Sequence, residues 1–115
     1  MPNVQLASRA YAHASVNRTV REQEAAIFEM VIARLQAARE AGQMARVRAL
    51  ADNRRLWMLV SDLLRDADNP LPPETRAGIL SIGLTVQREM DAAEPNFDFL
   101  ITVNKHIAEG LSGNP

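Results

Sequence analysis

The side chains of this 115-residue chain best suited to acid–base or metal chemistry are two histidines and a small group of aspartates. His13 and His106 lie near opposite ends of the chain, and neither belongs to a pair with the spacing of metal ligands. The chain contains no cysteine, so disulfides and thiolate metal sites are excluded. We therefore assign both histidines surface or structural roles and expect no metal site.

Residues 66–71 begin like a calcium-binding loop, with Asp66 and Asp68 as potential ligands. Such a loop requires an oxygen ligand at its fifth position and glycine at its sixth, where this chain has Pro70 and Leu71. We interpret the aspartates as the end of a helix and the start of a turn. The chain also lacks a nucleophile elbow, a glycine-rich phosphate loop and a paired-carboxylate motif. We predict a non-enzymatic protein without catalytic residues or cofactors.

Residues 53–57 are better suited to binding, because they combine the only tryptophan, two arginines and an amide. Tryptophan and arginine are enriched in binding hot spots, although Trp57 in a domain with so few aromatic residues is more often part of the core. Asn53 and Asn104 lie on apolar stripes, where a buried amide without partners costs roughly 1–3 kcal/mol. Two interpretations stay open: the amides fix the register of packed helices, or they bind another chain.

Four arginines, Arg46, Arg48, Arg54 and Arg55, could form a basic stripe for RNA. However, the chain has 13 basic and 14 acidic residues, so no general attraction to nucleic acid is expected. Asp52 interrupts the stripe, and no aromatic platform accompanies it. We interpret the arginines as a solvated helix face and do not expect nucleic acid as a partner.

The elements that position these residues are helices, since alanine, leucine, arginine and glutamate dominate the composition. We predict a short helix over residues 4–14 and a second from Thr19 to about Gly42, which opens with a capping box formed by Thr19 and Glu22. A third helix covers residues 43–67. A fourth begins at Pro73, and a last one begins after Asn96. Short connections make neighbouring helices antiparallel. The predicted fold is all-α, a small up-down helical bundle of four to five helices.

We expect one helical domain over residues 1–115, with a loosely packed N-terminal helix within 1–18 and a flexible tail at 112–115. Neither a secretory signal nor the roughly 20-residue apolar run of a membrane span is visible. We therefore predict a cytoplasmic protein without membrane insertion. Gly78 and Gly83 each cost about 1 kcal/mol in a helix relative to alanine, and we expect them to mark close helix–helix contact.

Six stretches together resemble one family, the flagellar biosynthesis regulator FlaF of alphaproteobacteria. The resemblance rests on their order and spacing: Tyr11-Ala12, Arg21-Glu22-Gln23-Glu24-Ala25, Leu35-Gln36-Ala37-Ala38-Arg39, Asn53-Arg54-Arg55-Leu56-Trp57, Asp68-Asn69-Pro70-Leu71-Pro72, and Val103-Asn104-Lys105-His106-Ile107-Ala108-Glu109-Gly110-Leu111. The family resemblance implies a cytoplasmic, non-enzymatic protein required for flagellin synthesis and secretion. It implies an export chaperone that acts alongside FlbT, a regulator of flagellin translation.

From the resemblance we expect flagellin as the main partner and FlbT as a second one, and we leave a homodimer open. The alternative is a post-transcriptional regulator of flagellin expression that acts through RNA or a regulatory protein. Unpolymerised flagellin has long amphipathic terminal segments, and an apolar groove in a helical bundle can hold such a helix. The chaperone hypothesis is therefore physically compatible with a small bundle.

We predict that this groove lies between the third and last helices. Apolar residues of the third helix would contact the client, the two arginines would flank it, and Asn104 would bind its backbone. The predicted partner-binding residues are Asn53, Arg54, Arg55, Leu56, Trp57, Val60, Asn104, Ile107 and Leu111.

Overall fold

The computed structural model describes residues 25–111, which form four α-helices and no strand. Helix α1 covers residues 25–38, α2 Gln43–Arg65, α3 Pro73–Met90 and α4 Phe97–Leu111. Short connections join them, so successive helices run antiparallel. This architecture confirms the predicted all-α bundle. The helix predicted over 4–14, the capping box at Thr19 and the tail at 112–115 lie outside the described residues.

The N-termini of α3 and α4 follow the signals predicted from the sequence. Pro73 occupies the first turn of α3, where its missing N–H costs nothing. Asn96 caps α4, because its Oδ1 accepts a hydrogen bond from the Phe99 N–H at 3.1 Å. The Glu89 carboxylate accepts a bond from the Asn96 N–H at 2.7 Å and so closes the loop between α3 and α4.

The predicted end of the helix before Gly42 is wrong by a few residues. Helix α1 ends at residue 38, where the Ala41 N–H bonds to the Ala38 carbonyl and forms a tight turn. Gly42 instead precedes α2 directly, in extended conformation. At its other end α2 stops at Arg65, two residues earlier than predicted, because Asp66 already adopts an extended backbone conformation with ψ of 129°.

Helix α2 is the central helix, and its buried face meets all three others. The core is built from Phe28, Val31, Leu35 and Ala38 of α1, Ala49, Leu56, Trp57, Val60 and Leu64 of α2, Val86 and Met90 of α3, and Leu100, Ile101 and Ile107 of α4 with Phe97 at its start. Full burial of each large apolar side chain contributes roughly 1.5–3 kcal/mol. Helix α3 is covered mainly near its C-terminal end, since Ile79 is half-buried and Ile82 is 38% exposed.

The two glycines of α3 have different surroundings. A Cβ at Gly83 would lie 3.2 Å from Cε3 of Trp57, so the expected close helix contact is confirmed there. A Cβ at Gly78 would meet nothing within 4 Å, so the same expectation is wrong for Gly78. The physical reason is that Gly78 lies five residues before Gly83 and therefore on a different, exposed face of α3. None of the helices within residues 25–111 is long and apolar enough to cross a membrane.

Candidate partner-binding site

A chain of buried polar side chains links α2, α3 and α4. The Trp57 Nε1–H donates to Asn104 Oδ1 at 2.9 Å, and Asn104 Nδ2 donates to Asn53 Oδ1 at 2.7 Å. Asn53 Nδ2 in turn donates to the Met90 sulfur at 3.2 Å. Both asparagines are completely buried, so their polar atoms need these partners to offset the loss of water.

These hydrogen bonds separate the two interpretations of Asn53 and Asn104. Each amide binds a residue of this same chain on another helix, and this arrangement is the register-fixing one. Trp57 and Asn104 fill the α2–α4 interface rather than line an open groove there. Any effect of the two amides on a partner would therefore be transmitted through the positions of their bonded neighbours, Trp57 and Met90.

The nine residues predicted to bind a partner have three levels of exposure. Six of them are buried in the bundle: Asn53, Leu56, Trp57, Val60, Asn104 and Ile107. Arg54 is half-buried, whereas Arg55 and Leu111 are exposed. The structure thus brings Asn53, Trp57 and Asn104 together as a core cluster. Direct partner contact by the nine residues stays a prediction.

An open groove of about 460 Å³ lies between α2 and α3, next to Trp57. It is lined by Arg54, Trp57, Met58, Ser61, Asp62 and Arg65 of α2 and by Leu80, Ser81, Gly83, Leu84, Gln87 and Met90 of α3. The indole and Gly83 are in close contact within it, because a glycine lets the α3 backbone approach the ring. On either side stand Met58, which is 63% exposed, and Leu84, which is 58% exposed. Large exposed apolar side chains around a concave surface are typical of a protein-binding site.

The arginines considered for RNA binding are largely engaged within the bundle. The Arg46 guanidinium lies 5.0 Å from the centre of the Phe97 ring, in cation–π geometry. Arg54 pairs with Asp91 at 3.1 Å, and Arg55 lies 3.7 Å from Asp52. These contacts occupy three of the four arginines that we considered as an RNA-binding stripe.

The described residues also bear on catalysis and metal binding. Within residues 25–111, no three side chains of the metal-binding types come together. His106 is exposed on α4. Asp66 forms the predicted turn, since its Oδ1 accepts a bond from the Asp68 N–H at 3.0 Å.

Sequence reasoning missed Met58, Leu80 and Leu84 as groove residues. The available signal was the apolar face of α3, which Leu80 and Leu84 make wider than one neighbouring helix can cover. Leu80 is half-buried and Leu84 mostly exposed, so this extra width is what the groove displays.

Comparison with known proteins identifies the chain's family. A family model described as flagellar protein FlaF matches residues 7–111, which include the four helices that the structure describes within residues 25–111. The searches of curated proteins and of solved structures found no significant match. Because the family match covers most of the chain and agrees with the resemblance seen in the sequence, the chain belongs to the flagellar protein FlaF family.

Proposed function

We propose that this flagellar protein is a flagellin-binding export chaperone that holds an amphipathic helical segment of unpolymerised flagellin. The client helix lies in the groove between α2 and α3. The observation that carries this proposal is the exposure of Met58 and Leu84 on either side of the contact between Trp57 and Gly83. Membership of the FlaF family supports a flagellar role.

The groove suits a helical client in its chemistry. A helix that docks in a groove uses apolar anchors at positions i, i+3, i+4 and i+7. Met58 and Leu84 can contact these anchors, while Ser61 and Gln87 provide polar groups along the groove. Methionine is flexible and polarisable, so Met58 can adapt to apolar side chains of different shapes. Such a surface favours reversible binding of a client over one rigid fit.

Binding in the groove would act as chaperoning because it covers a segment that flagellin uses for assembly. The terminal segments of flagellin assemble with each other when they are free, and a segment held in the groove is withheld from assembly. Ordering that segment costs free energy, which offsets part of the gain from burial and leaves an affinity compatible with release at export. We propose that this occurs in the cytoplasm, without catalysis, metal or cofactor.

A regulator that contacts flagellin messenger RNA is the competing function. It requires a basic surface available to phosphates, with affinity that falls steeply with salt. The chain's net charge of −1 provides no general attraction to phosphates, which argues against such a function. We propose instead that any effect on flagellin expression arises through protein partners, namely flagellin itself or FlbT.

The test is isothermal titration of monomeric flagellin, full length and with either terminus removed, into this protein. We expect micromolar or tighter binding that is lost with one terminus. Leu84→Glu and Met58→Glu should each weaken binding about tenfold or more, because a charge in the groove must be desolvated. Met30→Glu is the matched control, since Met30 is 43% exposed on α1. If flagellin fails to bind the wild-type protein, with or without FlbT, the proposal is wrong.

Trp57→Ala is a poor test of the same groove. Trp57 is only 4% exposed, and truncating a buried aromatic residue costs roughly 3–5 kcal/mol. Loss of binding would then report loss of the fold. Met58 and Leu84 avoid this problem because both are more than half exposed.

A further inference from the structure

The apolar surface of the groove continues along α2 beyond the end of α3. Met44 and Val47 are 70% and 53% exposed, and Ala51 lies on the same side of the helix as Met58. Positions 44, 47, 51 and 58 follow the spacing that pairs helices side by side, and Arg54 occupies the position of that spacing between 51 and 58. We call these four residues the α2 seam.

Helix α3 leaves the first turns of α2 uncovered. It ends at Met90, whose sulfur accepts the hydrogen bond from Asn53, so Met44 and Val47 lie beyond its last turn. The Arg46 side chain turns instead toward Phe97 of α4. The exposed seam and the groove therefore lie on one face of the molecule, with the ion pair of Arg54 and Asp91 beside the step from Ala51 to Met58.

We propose that this face binds a single amphipathic α-helix whose apolar stripe is flanked by acidic residues. The proposal rests on the proposed function and specifies the chemistry of the client segment. At about 1.5 Å per residue, Met44 and Met58 are ~21 Å apart along α2, and Met44 and Arg65 ~31 Å apart. The client helix therefore spans about 14–21 residues.

Beyond Met58, where α2 becomes polar, α3 supplies apolar surface for such a helix. After Met58 the next seam positions are Ser61 and Arg65. Leu84 and Leu80 of the antiparallel α3 line the groove beside them. One client stripe can thus contact α2 alone at its first end and both helices at its other end.

The charges beside the seam favour an acidic client. Arg48 and Arg55 are exposed on one side of it, Arg54 falls within its spacing between Ala51 and Met58, and Arg65 lies at its far end. Three aspartates share this face: Asp62, Asp91, which pairs with Arg54, and Asp52, which lies 3.7 Å from Arg55. Four arginines against three aspartates leave this face with an excess of one positive charge, although the whole chain has a net charge of −1. Charges that flank an apolar seam select the partner helix.

The same charges argue against a second copy of this chain as the occupant. An antiparallel pair of α2 seams that set Arg48 of one copy opposite Arg55 of the other would bring like charges together. Like charges brought together in an interface disfavour association. A client of opposite charge meets no such penalty.

The test uses two synthetic helical peptides of about 21 residues with the same leucine stripe, flanked in one by glutamates and in the other by lysines. Fluorescence anisotropy should give at least about tenfold tighter binding of the glutamate peptide, and the preference should shrink as salt is raised. The double substitution of Arg48 and Arg55 by glutamate should reduce or invert this preference for the glutamate peptide. Equal affinity for the two peptides, or no binding of either, would overturn the inference.

Two exposed variants show whether seam and groove act together. Val47→Glu and Leu84→Glu should each weaken binding of the glutamate peptide about tenfold or more, while Met30→Glu leaves it unchanged. Val47→Ala, a milder change, should weaken it less, and circular dichroism should give wild-type helix content for all four. If Leu84→Glu acts but Val47→Glu does not, the client does not extend along the seam and the inference fails.

Flagellin titrations with the same variants separate this inference from the proposed function. Loss of flagellin binding by both Val47→Glu and Leu84→Glu supports both. Loss by Leu84→Glu alone leaves the chaperone proposal intact and overturns the extended seam. If flagellin does not bind the wild-type protein but the glutamate peptide does, and both variants weaken it, the client is another acidic helix. The seam then stands without the chaperone function.

Discussion

Gly83 and Trp57 are in such close contact that a Cβ at position 83 would lie 3.2 Å from Cε3 of the indole ring. The ring has little freedom to yield, because its Nε1–H is bound to Asn104. This contact sets how closely α3 approaches α2 and therefore shapes the groove between them. A small residue in one helix and a pinned aromatic residue in the other together determine the candidate site.

Alanine substitutions at the two glycines of α3 should have different effects on stability. Gly78→Ala should raise the free energy of unfolding by about 0.5–1 kcal/mol, since alanine favours helix and the site is open. Gly83→Ala should raise the free energy of unfolding by less than Gly78→Ala, or lower it, because the added methyl must displace the Trp57 ring. Urea unfolding followed by circular dichroism measures both. An equal gain at the two positions would mean that the ring moves freely.

The buried amide of Asn104 should be expensive to remove. Asn104→Leu leaves the Trp57 N–H and the Asn53 Oδ1 without their partner, and we expect a loss of about 2–4 kcal/mol in unfolding free energy. Trp57→Phe removes the donor, so Asn104→Leu should cost less in that background. Chemical unfolding of the two single variants and the double variant gives the coupling energy. Strict additivity would show that the Trp57–Asn104 hydrogen bond contributes nothing.

Asn69 should matter more than its neighbours in the loop after α2. Its Nδ2 donates to the Leu63 carbonyl at 2.9 Å, and its Oδ1 accepts from the Leu71 N–H at 3.0 Å. Asn69→Ala removes both bonds and should lower the unfolding free energy by about 1–2 kcal/mol. Asp68→Ala is the control, because it alters the adjacent exposed position. Similar effects of the two substitutions, measured by thermal unfolding, would contradict this role.

Asp52 is the acceptor shared by two arginines from different helices. Its carboxylate lies 2.9 Å from Arg34 and 3.7 Å from Arg55, and both arginine side chains are more than half exposed. Asp52→Asn should therefore cost no more than about 1 kcal/mol, with the effect fading as salt screens the charges. Asp62→Asn, ten residues further along α2 and beside the groove, should have a smaller effect. A salt-independent loss at position 52 would show that its hydrogen bonds matter more than its charge.

Helix content and helix starts were predictable because they depend on local chemistry. Pro73 and Asn96 favour helix starts through their own backbone and side-chain hydrogen bonds, whatever packs nearby. The family resemblance was likewise visible in short stretches such as residues 53–57. The prediction that a helix ends at Gly42 was wrong because a glycine indicates only that a helix is interrupted. The turn at residues 38–41 places the end of α1 before it, and Gly42 directly precedes α2.

The sequence by itself determined an all-α chain, the stripes that face inward and the membership of the FlaF family. Only the tertiary structure decided which apolar residues stay exposed. Periodicity reveals an apolar face, but whether a face is covered depends on the neighbouring helix and on where that helix ends. Asn53 and Asn104 became internal partners, and Met58 and Leu84 became the groove, because α3 approaches α2 at Gly83 and ends beside Asn53. These contacts join residues far apart in sequence, so no local pattern contains them.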